Sequence, residues 1–122
     1  MPVIPNRVLE KLYVKGSLRV DEGGFAFDLK NLIAPATITA VKGLQVDGER
    51  IDDSQVVIQL PSGSAHPIAR FAPGRPLHFP IGMAVTVQVS GETLEPGHHD
   101  LALHVAVKEI GSLDIPISDA VA

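Results

Sequence analysis

Apolar and polar residues alternate with a period of two along much of the chain. Met83, Val85, Val87 and Val89 interleave with Ala84, Thr86 and Gln88; Leu101, Leu103, Val105 and Val107 interleave with Ala102, His104 and Ala106. Val56, Ile58 and Leu60 repeat the pattern over a shorter span. Successive side chains on a strand point to opposite faces, so this alternation predicts strands with one face buried. Turn signals separate them. Asp47-Gly48 lies between Leu44–Val46 and Glu49–Ile51, and a Gly at the second central position accepts positive φ, which predicts a tight hairpin. Asp21-Glu22-Gly23-Gly24 predicts a second hairpin between Leu12–Val20 and Phe25–Leu32. Ser90-Gly91 closes one strand and Pro96-Gly97 opens the next, with Leu94 as an apolar plug between them.

Helices have little room. Gly and Pro are so evenly spread that the longest stretch free of both runs only from His98 to Ile110, and a breaker inside a helix costs hydrogen bonds. The expected fold is therefore all-β, a two-layer antiparallel sandwich of immunoglobulin-like or jelly-roll-like type with about seven to nine short strands. The N-terminal part carries two patterns. Val8, Leu9, Leu12 and Tyr13 would share a helix face after Asn6, while Leu12, Val14, Leu18 and Val20 fit a strand. The Gly-rich turn that follows favours a strand from about Leu12 onward. Arg7, Lys11, Lys15 and Arg19 recur every fourth residue and would then line one strand face, as a basic row guarding an edge.

Pro61–Gly82 breaks the regularity, with Pro61, Pro67, Pro73, Pro76 and Pro80 beside Phe71 and Phe79. A loop this long in a compact domain usually serves a purpose. Phe71, Leu77, Phe79, Pro80 and Ile81 are the candidate partner contacts, expected to leave some apolar surface exposed. His66–Phe71 reads as a short edge strand, where Pro is tolerated. His66 and His78 with Arg70 and Arg75 nearby offer an anion or substrate contact on a loop, but nothing pairs the histidines with a base or nucleophile, so a soluble loop whose Phe71 and Phe79 tuck into the core is the expected reading.

Composition narrows the function. The 122 residues suit one domain over 1–122. With net charge −4 and no Lys or Arg from Pro76 to Val107, the chain lacks the basic footprint of a nucleic-acid binder. It has no Cys, which removes disulfides, thiolate metal sites and thiol nucleophiles and points to a reducing, cytoplasmic setting. The start lacks the apolar core of a signal peptide and no apolar run is long enough to span a bilayer, so no membrane association is expected.

Reactive constellations are thin. In His98-His99-Asp100 neighbouring side chains point to opposite faces, and His98 and His104 lie far apart along one strand, so convergent metal ligation is not expected. Asp52-Asp53 and the Asp114/Asp119 pair sit among polar residues and read as solvated surface. Ser62-Gly63-Ser64 lacks a strand–turn–helix setting for a nucleophile. With one Tyr and no Trp, the aromatic supply for stacking sugars is small. That weighs against the alternative of a free-standing ligand- or carbohydrate-binding module.

Phe27–Asn31, Ala34–Thr39, Val46–Gly48, Phe79–Gly82, Leu94–Gly97 and Ile110–Leu113 with Asp119, in that order and spacing, resemble the small β subunit of bacterial C-glycoside deglycosidases. The resemblance implies a β-sandwich without catalytic residues or cofactor of its own. It implies a hetero-oligomer with a larger TIM-barrel subunit that holds a divalent metal such as manganese. That partner, a lyase-type enzyme, would cleave the carbon–carbon bond of 3-oxo-C-glycosides.

Overall fold

A computed structural model describes residues 4–121; the extreme ends of the expected 1–122 domain, Met1–Val3 and Ala122, lie outside the described residues. Among the described residues ten strands form two antiparallel sheets. β1 (Arg19–Asp21), β2 (Gly24–Lys30), β5 (Val56–Gln59), β6 (Ala65–Pro67) and β8 (Ala84–Ser90) make the first, in the order β1-β2-β8-β5-β6. β3 (Ala36–Val46), β4 (Glu49–Ile51), β9 (Gly97–Val107) and β10 (Gly111–Val121) make the second, in the order β10-β9-β3-β4, and β7 (Leu77–Phe79) pairs with the start of β3. The all-β sandwich expected from the alternation is what forms. The strand number exceeds seven to nine because four three-residue strands form between turns, and β3, β9 and β10 run eleven residues each.

Register explains the core. Phe25 faces Val89, Phe27 faces Val87 and Leu29 faces Val85 across β2 and β8, while Val56 and Ile58 face Val89 and Val87 across β5 and β8. Every one of these side chains is buried. Leu101, Leu103, Val105 and Val107 bring the matching layer from the second sheet. The chain passes between sheets from β8 to β9 over Leu94, which is buried as the plug the sequence predicts. The Asp47-Gly48 hairpin forms with φ of 50° and 86° at its two central residues, the positive values a tight two-residue turn needs. The Asp21–Gly24 hairpin also forms.

The N-terminal segment differs from expectation. Asn6–Leu9 is a short helix, α1, continued by a 3₁₀ turn at Glu10–Leu12; Tyr13 then makes an isolated antiparallel bridge to Leu29, and the first strand begins at Arg19. Leu9 and Leu12, three apart on one helical face, are buried against β10, and Leu18 is buried ahead of β1, while Val14 and Val20 stay exposed, so the alternation does not hold through the segment. Asn6 is the first helical residue rather than the cap, which is Pro5 without a side-chain hydrogen bond. Arg7, Lys11, Lys15 and Arg19 thus fall on a helix, a 3₁₀ turn, a turn and a strand, and form no single row. His66–Phe71 is likewise only partly extended: β6 ends at Pro67, and Ile68–Arg70 turns as a 3₁₀ helix that buries Ile68. No helix among the described residues is long and apolar enough to cross a membrane.

Candidate functional site

The most organised polar residue is one the sequence reading missed. Asn31 follows β2, is 2% exposed, and is the polar side chain most completely buried among the described residues. Its amide NH₂ donates to the carbonyls of Ala34 (2.8 Å) and Phe79 (2.7 Å), and its Oδ1 accepts from the Ile33 amide (3.1 Å). Its backbone N–H donates to the Met83 carbonyl, and its carbonyl accepts from the Gly82 amide. One residue therefore ties the 31–35 loop to the 79–83 turn. The result is an apolar corner with Leu32 61% and Ile81 57% exposed, the two most exposed large hydrophobic side chains among the described residues. Ala34, Pro35 and Pro80 add exposed apolar surface beside them. Behind it lies an apolar cavity of ≈ 100 Å³ bounded by Leu9 and Leu12 of the N-terminal segment, Ile33, Phe79, Val107 and Ile115. An Asn between two apolar stretches, just before Ala34-Pro35, was the only sequence signal of this role.

The corner contains two of the five candidate contacts. Pro80 and Ile81 are exposed, whereas Phe71, Leu77 and Phe79 are 8%, 6% and 5% exposed and belong to the core. Short elements make this possible: β7 points Leu77 and Phe79 inward and His78 outward, opposite Thr37 of β3. Phe71 follows the 3₁₀ turn into the interior.

The His and Asp residues form surface pairs rather than a reactive centre. His98 and Asp100 lie on one face of β9 with Ser118 across on β10. Ser118 Oγ lies 2.9 Å from His98 Nε2 and donates to Asp100 Oδ1 at 2.8 Å, and that same Oδ1 lies 3.1 Å from His98 Nε2. A nucleophile relay needs serine and carboxylate on opposite ring nitrogens; here both meet Nε2, in a largely solvated setting. His104 pairs with Asp114 at 2.5 Å. Asp119, the other member of the candidate carboxylate pair, instead accepts from the Tyr13 hydroxyl (2.6 Å) and the Gly16 amide (2.8 Å). Those bonds hold its carboxyl below the usual range, the Tyr13 bond foremost, and burial followed by the Asp119 bond raises the Tyr13 phenol.

His99 is different. Its Nδ1 meets Asp47 Oδ2 at 2.6 Å and its Nε2 meets the Glu95 carbonyl at 2.7 Å. Both partners accept only, so a ring protonated on both nitrogens satisfies both. The Glu95 bond and then Asp47 push its pKa up. The Asp100 backbone N–H and then His99 hold Asp47 down. The pair pins the β3–β4 hairpin to the start of β9. Among the described residues no three His, Cys, Asp or Glu side chains converge as metal ligands would. The phenylalanines are all buried and Tyr13 is half-buried, which leaves no exposed aromatic platform for a sugar.

The family model described as hydroxymethylglutaryl-CoA reductase, N-terminal domain, matches residues 8–122. The chain belongs to that family. The match takes in both sheets of this hydroxymethylglutaryl-CoA reductase N-terminal domain family member, together with the Asn31 corner and the His99 pair. No curated protein matches it in sequence. Among solved structures, a family 123 glycoside hydrolase from Clostridium perfringens, described for glycolipid glycan hydrolysis, overlays on 85% of the chain at 14% identity and a TM-score of 0.37. The chain spans about a fifth of that hydrolase, 22% of its length.

Proposed function

We propose that this chain is a non-catalytic β-sandwich that works docked on a larger enzyme. In its specific form it is the small subunit of a heteromeric C-glycoside deglycosidase whose TIM-barrel, metal-dependent subunit cleaves 3-oxo-C-glycosides. The observation that carries the reading is the pairing of a hydrogen-bonded apolar corner at Leu32 and Ile81 with the lack of any metal-binding His, Cys, Asp or Glu cluster among the described residues. Exposed apolar surface set on a hydrogen-bonded frame fits a partner contact. The fully used Asn31 supplies that frame. Chemistry would then come from the partner, which holds the divalent metal.

Family membership favours a second reading. The family name describes one domain of a reductase, so the chain would accompany a hydroxymethylglutaryl-CoA reductase catalytic part instead of a barrel lyase. Both readings assign this sandwich a supporting role. Co-expression with a metal-dependent barrel subunit separates them. One complex in size exclusion, lost in the Leu32→Asp/Ile81→Asp double variant, supports the deglycosidase form. Separate elution of the two wild-type chains refutes it.

A further inference from the structure

The groove beside β6 and β7 concentrates positive charge in an acidic protein. From Ser54 to Gly91 the chain has no Asp or Glu, and Arg70 and Arg75 are the only Lys or Arg residues there. The fold gathers both arginines with His66 and His78 around a groove of ≈ 460 Å³ whose lining includes no acidic residue. Four different elements supply them, so the cluster is not an accident of one loop. His66 lies on β6 opposite Ile58. Arg70 ends the 3₁₀ turn. Arg75 closes a reciprocal backbone pair with Ala72, at 2.8 and 3.3 Å. His78 points out from β7 between buried Leu77 and Phe79. The ion pairs among the described residues use Arg19, Arg50 and three other histidines. Among the described residues neither Arg70 nor Arg75 pairs with a carboxylate.

The floor is of opposite character. Leu60, Phe71, Leu77 and Met83 line it, and the His66 ring meets Phe71 edge to face with centroids 6.3 Å apart. Binding pockets combine such apolar lining with a few placed polar groups, and guanidinium groups match the paired oxygens of carboxylate and phosphate. We infer that this groove binds a small amphipathic anion, an acidic group carried on an aromatic or aliphatic body, with Arg70 and Arg75 holding the acid and the Phe71–Leu77 floor holding the body. A free inorganic anion would use only half of the site.

Titration of the full chain, followed by amide shifts in ¹H–¹⁵N spectra, tests this with four probes: phenyl phosphate, phenylpropionate, inorganic phosphate and phenylethanol. The expected result is saturable shifts at His66, Phe71, Leu77 and Met83 for one or both aromatic anions. Inorganic phosphate and the neutral alcohol should bind at least tenfold more weakly, and the tighter aromatic anion identifies phosphate or carboxylate as the acid. The Arg70→Gln/Arg75→Gln variant should keep the wild-type spectrum elsewhere and raise Kd at least tenfold. Equal binding of phenylethanol, no saturable shift at these positions, or an unchanged Kd in the variant would each overturn the inference.

Discussion

Asn31→Ala tests the frame beneath the apolar corner. The substitution removes three side-chain hydrogen bonds and leaves the carbonyls of Phe79 and Ala34 and the Ile33 amide without their partner. The bond to the Phe79 carbonyl is buried, and stranding such a group costs about 1–3 kcal/mol; the two part-buried bonds cost roughly 0.5–1 kcal/mol each. The sum is about 2–5 kcal/mol, equivalent to a fall in Tm of roughly 8–20 °C for a domain of this size. Asn31→Asp should be worse at neutral pH, since it points a carboxylate oxygen at two carbonyl oxygens that now receive N–H bonds. Burial raises the pKa of such an acid, so its deficit should shrink as pH falls and the carboxyl regains a donor proton. The exposed neighbour Leu32→Ala should stay within about 0.5 kcal/mol of wild type. Urea unfolding followed by far-ultraviolet circular dichroism reads all three. A loss below about 1 kcal/mol for Asn31→Ala, or equal stability of the Ala and Asp variants at pH 7, would refute the reasoning.

Two further outcomes follow from the geometry. The folded pKa of His99 is raised above its ordinary 6.5, so its contribution is complete below that value and fades as pH rises through the folded value. That of Asp47 is lowered from 3.8, so its share holds above 3.8 and fades on acidification. The stability gap between wild type and His99→Gln should therefore be widest near pH 5–6 and narrow above neutrality; a gap that widens with rising pH contradicts the imidazolium assignment. Gly24→Ala places a Cβ 1.9 Å from the Val89 carbonyl oxygen, while at Gly48 nothing lies within 4 Å. The first should cost about 3 kcal/mol or more through overpacking, the second about 1 kcal/mol through its positive φ. Thermal melts showing the reverse order would contradict the β2–β8 approach at Gly24.

The sandwich was legible because burial of one face writes a period of two into long strands such as β8 and β9, and because Asp47-Gly48 admits few other turns. α1 was not, since four residues carry too little periodicity to compete with an overlapping strand pattern and no side chain caps the helix. Which of the five candidate contacts would be exposed, Pro80 and Ile81 rather than Phe71, Leu77 and Phe79, was not legible for a related reason. Prolines mark where regular structure stops but do not say which way a three-residue strand points its side chains. The Asn31 corner depends on residues 31, 33, 34, 79, 82 and 83 meeting in space, a convergence that no local spacing encodes. The arginines and histidines of the groove were visible as a loose basic cluster, but the apolar floor that gives them a ligand class comes from the fold.

The central claim is that this sandwich lends surface and no chemistry. Turnover of a 3-oxo-C-glycoside by the purified chain, with divalent metal present and with or without the proposed barrel partner, tests it most directly. The account predicts no product from the chain alone and product from the reconstituted complex. Product from the chain alone would contradict it.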